Sequence, residues 1–218
     1  MVIRNKSFDH KGGFYHYRVH LSDTDKLCND GLRPLNDYLK EMFEKCPDDY
    51  FHKGPRSSKL KFNLQYLDLK SVSGHEVCHL TNLGLDRNNE RYKTNHSRVQ
   101  VFMMEHDSKS IASEIPLWFM PDEFEFFKEI FDSDEPLTGH VDLVRIEDGK
   151  IWIWDYKPKA RLEKFASTQI YFYALMLSAR TKIPLEKFRC GYFDDRNCYV
   201  FDPNKCKIPE MKSISEFM

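Results

Sequence analysis

The sequence has little net charge and no long apolar run. Its 33 lysines and arginines nearly balance its 34 aspartates and glutamates, which leaves a formal charge of −1. This balance excludes a protein that holds nucleic acid through an overall basic surface. No segment approaches the ~20 apolar residues of a membrane span, and no apolar signal region opens the chain. We therefore expect a cytoplasmic protein with no membrane partner.

Cysteine is present, but in no metal-binding spacing. The six cysteines include no C-x-x-C pair, and Cys190, Cys198 and Cys206 follow one another at intervals of eight residues. A cytosolic location also disfavours disulfides, so we interpret the six residues as free thiols. The sequence contains no internal repeat and no low-complexity segment. Its 218 residues favour a single domain.

The most informative segment runs from residue 138 to residue 157 and predicts a β-hairpin. Thr138–Ile146 and Ile151–Lys157 are rich in β-branched and aromatic residues, and Glu147–Lys150 between them has Asp-Gly at its centre. Asp-Gly is a strong signal for a two-residue hairpin turn. Because strand side chains alternate between faces, Asp155 and Lys157 are expected to point to the same side.

Asp142, Asp155 and Lys157 are charged residues within this otherwise apolar hairpin. Buried charges are costly unless they are paired or hold a ligand, and carboxylates suit a hard cation such as Mg²⁺ or Mn²⁺. Such a cation activates water and neutralises charge on a phosphoryl group, which a neighbouring lysine can also do. The three residues therefore favour metal-dependent hydrolysis of a phosphodiester. The alternative is an exposed hairpin with an ordinary Asp–Lys surface pair.

The segment Leu162–Ala179 has helical periodicity and places Gln169 and Tyr173 on one face. Three motifs then follow one another along the chain: Gly139-x-x-Asp142, Asp155-Tyr156-Lys157 and Gln169-x-x-x-Tyr173. This order resembles the PD-(D/E)XK nuclease superfamily. Within it, the pattern is most similar to the RecB-type branch, which includes recombination exonucleases and CRISPR adaptation-associated nucleases.

The resemblance implies that four hairpin residues form the catalytic centre: the metal ligands Asp142 and Asp155, a metal-binding backbone carbonyl at Tyr156, and the catalytic Lys157. Gln169 and Tyr173 would orient DNA and the active-site groups. Tyr173 also lies on the apolar stripe of its helix, so a purely structural role as a core aromatic residue stays open.

The same branch has an upstream helix with a further metal ligand. Asn95–His106 is the predicted helix, with Asn95 as its cap, and the strand Ile111–Phe119 follows it. By resemblance His96 is the metal ligand, and Glu114 is a possible additional site residue. His96 could instead be an ordinary surface histidine, and Glu114 could merely neutralise nearby positive charge. Three residues are rival ligands: His75, His79 and Glu105.

Basic residues near the predicted site are candidates for DNA contacts, foremost Lys159 and Arg161. Two groups occur in the sequence: Lys150, Lys157, Lys159, Arg161 and Lys164; and Arg87, Arg91, Lys93 and Arg98. Phosphate contacts from them would give salt-sensitive binding, although charge runs are often only solvated faces. A nearly neutral chain should bind DNA ends, single- or double-stranded, weakly by itself. Weak binding would be compatible with partner proteins, such as other members of a repair, recombination or defence complex.

Some RecB-type relatives carry an iron–sulfur cluster on one cysteine before the core and a C-x-x-C group after it. The cysteine spacing here does not match, so we expect Mg²⁺ or Mn²⁺ and no cluster. The function implied is a divalent-metal-dependent DNA nuclease that acts as an exonuclease. The alternatives are a non-catalytic nucleic-acid-binding or assembly module that keeps the fold, and a structure-specific nuclease acting on RNA or branched DNA.

The expected fold class is α/β (α+β). It consists of a restriction-endonuclease-like core, with a central mixed sheet flanked by helices, and an N-terminal extension. The extension is assigned to residues 1–90, packed on a nuclease core of residues 91–218. Periodicity predicts further elements: strands Phe14–Val19, Lys59–Leu69, Lys187–Phe193 and Asn197–Phe201, and helices Pro34–Lys45 and Pro121–Phe131.

Overall fold

A computed structural model describes residues 2–209, so the end of the predicted core segment, residues 210–218, lies outside the described residues. The strands are β1 (Ile3–His10), β2 (Gly13–His20), β3 (Lys70–Ser71), β4 (Ser110–Phe119), β5 (Leu137–Glu147), β6 (Lys150–Tyr156), β7 (Phe188–Phe193) and β8 (Cys198–Phe201). The α-helices are α1 (Leu21–Leu27), α2 (Arg33–Lys45), α3 (Glu76–Arg87), α4 (Asn95–His106), α5 (Phe127–Phe131) and α6 (Ala166–Thr181).

The strands form one mixed sheet in the order β1-β2-β4-β5-β6-β7-β8-β3. Neighbouring strands are antiparallel except β6 and β7, which are parallel and are connected through α6. A parallel pair needs such a crossover, because its second strand must start at the same end as the first. The N-terminal hairpin β1–β2 joins the sheet through β2, which pairs with β4.

Helices cover both faces of the sheet. One hydrophobic cluster connects the sheet to α2 and α6, with Leu39 and Phe172 fully buried in it. A second cluster connects the other face to α3 and α4 and contains Val77, Met103 and Trp154. The predicted fold class, a mixed sheet flanked by helices, is confirmed. Within residues 2–209, none of the helices has both the length and the apolar character needed to cross a bilayer.

The predicted β5–β6 hairpin is confirmed, and its turn is as short as the sequence indicates. Asp148 and Gly149 have φ values of 51° and 67°. Positive φ at both central residues is the geometry that suits Asp-Gly and matches the twist of the flanking strands. The ladder closes with Glu147 opposite Lys150.

The predicted strand Lys59–Leu69 is wrong. A 3₁₀ turn occupies Ser57–Lys59, and the following segment is irregular apart from one bridge between Gln65 and Lys207. Leu64 belongs to the first cluster, and the partly buried residues Leu60, Phe62 and Leu67 pack against it. The carbonyl of Phe62 accepts a hydrogen bond from Thr168 on α6. The alternating pattern therefore reflects packing of one side of an extended segment on a helix, without ladder hydrogen bonds.

Two predicted helices have different bounds in the structure. Pro121–Phe131 divides into a 3₁₀ turn, Pro121–Glu123, and the short α5, because Phe124 is extended and packs against Phe172. The helix predicted from Leu162 begins four residues later, and Leu162 is exposed. The cap of α4 is also corrected: Thr94, rather than Asn95, accepts the hydrogen bond from the Ser97 backbone N–H.

Candidate active site

Three neighbouring strands place three carboxylates side by side. Extending the registers of the β4–β5 and β5–β6 ladders sets Glu114 opposite Asp142 and Asp142 opposite Asp155. All three side chains line one cavity of about 580 Å³. Like charges directly opposite each other destabilise an antiparallel pair. The row therefore contributes nothing favourable to the sheet unless a positive charge compensates it.

Lys157 supplies one positive charge at the end of the row. It follows β6 directly, and its Nζ lies 2.6 Å from Oδ2 of Asp155, as the alternation of β6 predicts. The same Nζ donates to Oε1 of Gln169 at 3.0 Å. These two contacts fix the ammonium beside the carboxylates. Burial lowers the pKa of Lys157, but the charges of Asp155 and Asp142 outweigh it and raise the pKa above its ordinary value.

Gln169 and Tyr173 face this cluster from α6. Nε2 of Gln169 lies 2.8 Å from the Tyr173 hydroxyl and 3.4 Å from Oδ1 of Asp155. A Cβ added to Gly139 would collide with the Tyr173 ring, so glycine is what allows α6 to approach β5 this closely. Tyr173 is thus both a buried aromatic residue and a neighbour of the site.

Glu114 is held in position by an unusual backbone and by a partner on α4. Its φ is 53°, the left-handed region that residues with a Cβ rarely adopt. Its Oε1 accepts a hydrogen bond of 2.7 Å from Nε2 of Gln100. Strained backbone of this kind is found mostly at functional sites.

His96 lies at the open side of the cavity, near the start of α4. Its Nε2 is 3.7 Å from Oδ2 of Asp142, and its ring meets Tyr156 edge-on. Oδ2 of Asp142 also accepts the backbone N–H of Tyr156 at 2.9 Å. The Tyr156 ring is buried in the second hydrophobic cluster, so only the backbone of this residue is directed at the site.

The acidity of the carboxylates reflects their crowding. Burial raises the pKa of Asp142 to about 7, with the charge of Asp155 as the next cause. Burial also raises the pKa of Glu114 to about 8, with Asp142 as the next cause. Arg18 opposes the shift at Glu114 but has a weaker influence than Asp142. Glu114 is therefore not there merely to neutralise Arg18, because the neighbouring carboxylate affects its pKa more strongly than the arginine does.

The residues of the cavity fit a divalent cation. Three carboxylates and the imidazole of His96 line the cavity. Two of the carboxylates hold protons more tightly than usual, first because they are buried and then because a neighbouring carboxylate repels their charge. Oxygen-rich sets of this kind bind Mg²⁺ or Mn²⁺, and a cation would replace the protons.

Residues 80–212 match the family model of the PD-(D/E)XK nuclease superfamily, which is more than half of the chain. The protein belongs to this superfamily. Its members are generally nucleases, and they typically use divalent metal ions. No curated protein matches the chain.

Several residues proposed from the sequence lie outside the cavity. Glu105 pairs with Arg91 on the surface, at 2.9 Å. His75 caps α3 and packs on Trp154, and His79 is exposed on the same helix. None of the three rival ligands, His75, His79 and Glu105, therefore lines the cavity.

Apart from Lys157, the basic residues proposed for DNA contacts are not part of the cavity wall either. Lys159 and Arg161 are exposed on the turn between β6 and α6. Arg98 of the second group donates to the backbone carbonyl of Tyr92. Any contact from Lys159 or Arg161 would reach DNA outside the cavity.

The cavity of this PD-(D/E)XK protein also contains residues that the sequence reasoning missed. Part of its wall comes from the β1–β2 hairpin and the loop before β3, through Phe14, Tyr15, Arg18 and Arg56. His140 lines it as well, two residues before Asp142 on β5. The alternation rule could have identified His140. Nothing local in the sequence indicates that Arg56 lies next to it.

Proposed function

We propose that the protein is a divalent-metal-dependent DNA nuclease of the RecB-type branch that degrades DNA from its ends, in repair, recombination or defence. The observation that carries the proposal is the complete acid–acid–lysine set in one cavity: Asp142, Asp155 and Lys157. Superfamily membership supports the reaction class. The choice of an end-processing enzyme rests on the Gln169-x-x-x-Tyr173 pair.

Each residue has a chemical role in this proposal. His96, Glu114, Asp142 and Asp155, with the carbonyl of Tyr156, would hold Mg²⁺ or Mn²⁺. The bound cation would lower the pKa of a water molecule and offset charge on the phosphate. Lys157 is the one cation of the chain that touches the carboxylate row within the described residues, and it can orient the attacking water or stabilise the pentavalent phosphorus.

Gln169 and Tyr173 would act by positioning. Gln169 contacts both Lys157 and Asp155, so it keeps the ammonium and the carboxylate at a fixed separation. Tyr173 in turn fixes the amide of Gln169. Neither brings a charge, but each retains hydrogen-bonding capacity for a phosphate oxygen.

A non-catalytic assembly module is the second candidate function. Such a module would have no need of a lysine buried among carboxylates, since this arrangement costs stability without adding binding surface. The intact set therefore favours catalysis.

The test uses 5′- and 3′-labelled DNA, single- and double-stranded, linear and circular, with Mg²⁺, Mn²⁺ or EDTA. We expect cleavage of linear DNA with either metal ion, progressive shortening from one labelled end, and no reaction in EDTA. The matched control is Asp155→Asn, purified in the same way. Cutting of circular DNA at the same rate would contradict the exonuclease assignment and indicate an endonuclease. Absence of cleavage on every substrate would favour the non-catalytic assembly module.

A further inference from the structure

Arg56 occupies an unusual electrostatic position at the wall of the cavity. It makes no ion pair with a carboxylate among the residues that the structure describes. An arginine guanidinium has five N–H donors and no acceptor. One donor reaches the carbonyl of Lys11 and a second lies 3.1 Å from Nδ1 of His140, while the others have no protein acceptor in residues 2–209.

Buried histidines fix this arginine. His140 and His10 are 3% and 2% exposed, and Nε2 of His140 lies 2.8 Å from Nδ1 of His10. Nε2 of His10 lies 3.0 Å from Oδ1 of Asp48, which faces the solvent. Because Arg56 can only donate, Nδ1 of His140 must accept. The proton on each histidine then sits on Nε2, and every hydrogen bond runs from Arg56 towards Asp48.

The backbone and an aromatic ring complete the arrangement. Arg56 forms a parallel bridge with Thr138 of β5, which ties its loop to the strand that carries Asp142. Its guanidinium stands 5.1 Å from the centroid of the Tyr15 ring, and that ring stacks on His140 at 3.7 Å. Preorganisation of this kind lowers the entropy lost when a guanidinium binds an anion.

The spacing relative to the carboxylates suits a nucleic-acid strand. His140 and Asp142 are two residues apart on one face of β5, which is about 7 Å at about 3.3 Å per residue. Each nucleotide of a duplex strand rises about 3.4 Å, which makes the distance about two nucleotides, and an extended single strand with its larger spacing would cover it in fewer. A phosphate held by Arg56 would therefore be close in the chain to the phosphate at the carboxylate row.

Phe14 adds a second element at the same rim. It is the second residue of β2, next to the Lys11-Gly12 turn of the β1–β2 hairpin, and it lines the cavity and is 73% exposed. An exposed phenyl ring beside a phosphate site is suited to stacking with a nucleobase. Within a duplex both faces of an internal base are covered by its neighbours, so such a base can stack on Phe14 only after it has left the duplex.

We infer that Arg56 binds a backbone phosphate adjacent to the scissile one and that Phe14 stacks on a base of the same strand, so DNA enters the cavity as a single strand. The inference rests on the proposed nuclease function. It assigns substrate selection to the N-terminal hairpin and the Arg56 loop, both of which lie outside the segment 80–212 that defines the family.

Binding can be tested separately from cleavage in a Lys157→Ala background with Mg²⁺. Fluorescence anisotropy would compare a labelled single-stranded oligonucleotide with the same oligonucleotide annealed to its complement. We expect Arg56→Gln to raise the Kd for the single strand about tenfold or more, because a charge-assisted contact is lost. The slope of log Kd against log salt should become smaller by about 0.7, the contribution of one phosphate contact on a single strand.

Other variants separate charge, geometry and stacking. Arg56→Lys keeps the charge but loses the planar fork, so its salt slope should stay parental while its Kd rises; it also serves if Arg56→Gln does not fold. Phe14→Leu should weaken binding of the single strand and leave the duplex unchanged. The matched control is Lys53→Gln, an exposed lysine of the same loop that does not line the cavity, and it should change neither quantity.

Parental Kd and salt slope in Arg56→Gln would overturn the phosphate assignment, and equal loss on both substrates in Phe14→Leu would overturn the single-strand assignment. Cleavage by the unmodified protein is measured in parallel. Active enzyme with no effect of Arg56 would refute this inference alone. Arg56-dependent binding without any cleavage would refute the nuclease function alone.

Discussion

Two charged clusters are centred on Arg145 and Asp142, three residues apart on β5, and they differ in how their charges are paired. Around Arg145, every charge has a partner: its Nε lies 2.8 Å from Asp107 and its Nη2 lies 2.6 Å from Glu76, while Lys109 bridges Glu76 and Glu147 at 2.9 and 3.0 Å. Around Asp142, three carboxylates meet one lysine. In the first cluster, each charged group has an oppositely charged neighbour in the folded chain. The second lacks positive charge.

The carboxyl groups of the two clusters have pKa values shifted in opposite directions. The hydrogen bond from Lys109, followed by that from Arg145, lowers the pKa of Glu76 to about 2. Burial raises the pKa of Asp142 to about 7 and that of Glu114 to about 8. The paired cluster stabilises the carboxylate form of Glu76, whereas the row, with one lysine for three carboxylates, disfavours the carboxylate forms of Asp142 and Glu114. The charges around Arg145 stabilise the fold, whereas the charges around Asp142 would be balanced by a bound cation.

The largest expected effect is on catalysis by the carboxylate row and Lys157. Asp155→Asn and Asp142→Asn should each slow DNA cleavage by about a hundredfold or more, because each removes an anionic ligand. Lys157→Ala should do the same with the metal still bound. Steady-state kinetics and metal titration would measure both effects. The melting temperature of metal-free Asp142→Asn should be unchanged or higher, since repulsion from Asp155 is relieved. Parental turnover in any of the three variants would refute the assignment.

The next effect is on stability in the paired cluster. Asp107→Asn would leave Arg145, which is fully buried, without its main partner, and breaking a buried pair costs about 3–5 kcal/mol. Urea unfolding would measure the free energy of unfolding. The matched control is Asp25→Asn at the exposed Asp25–Lys40 pair, which should change little. Cleavage per folded molecule should stay parental, and its loss would show that the two clusters are coupled.

The two clusters should respond to pH in opposite directions. Asp142 and Glu114 have raised pKa values when folded, so their stabilising contribution is complete below the unfolded pKa and is lost as pH rises through about 7 and 8. Glu76 has a lowered pKa, so its contribution is present above about 4.5 and is lost as pH falls towards about 2.

This difference predicts the pH dependence of metal stabilisation. Without metal, the melting temperature should fall between pH 6 and pH 9, and Mg²⁺ or Mn²⁺ should raise it more at pH 9 than at pH 6. Differential scanning fluorimetry at constant ionic strength would measure both trends. The Glu114→Gln variant should show the weaker decline, and an identical profile in that variant would remove Glu114 from the titrating set.

The smallest expected effect concerns the residues that position Lys157. Gln169→Ala and Tyr173→Phe should slow cleavage by about tenfold or less, because they remove orienting hydrogen bonds but no charge. Metal affinity should remain nearly parental in both. Kinetics on the same labelled DNA would measure the change. Parental rates in both variants would show that Gln169 and Tyr173 serve only in packing. That result would weaken the assignment to the RecB-type branch.

Local rules in the sequence were sufficient for the centre of the site. The Asp-Gly turn sets the register of β5 and β6, and strand alternation then places Asp155 and Lys157 together and makes Asp142 a cross-strand neighbour. Helical spacing likewise places Gln169 beside Tyr173. These relationships depend on separations of a few residues. The roles of the residues stay predictions.

Relationships over longer separations were not predictable in this way. The approach of Arg56 to His140 depends on a bridge between a loop and β5, 82 residues apart in sequence. The alternation of Lys59–Leu69 indicated a strand because packing on a helix produces the same pattern as a sheet with one buried face. Such cases require knowledge of which partner surfaces the fold makes available.

The left-handed backbone at Glu114 has a consequence for how this chain could change over time. A residue with a Cβ loses about 1–2 kcal/mol in that conformation, a cost that glycine avoids. Glu114→Gly would also relieve the repulsion from Asp142. Two destabilising contributions would therefore disappear with a single substitution in the candidate catalytic centre, at the cost of the hydrogen bond from Gln100. In a lineage released from selection for activity, continued use of the chemistry would no longer maintain Glu114 against these two contributions.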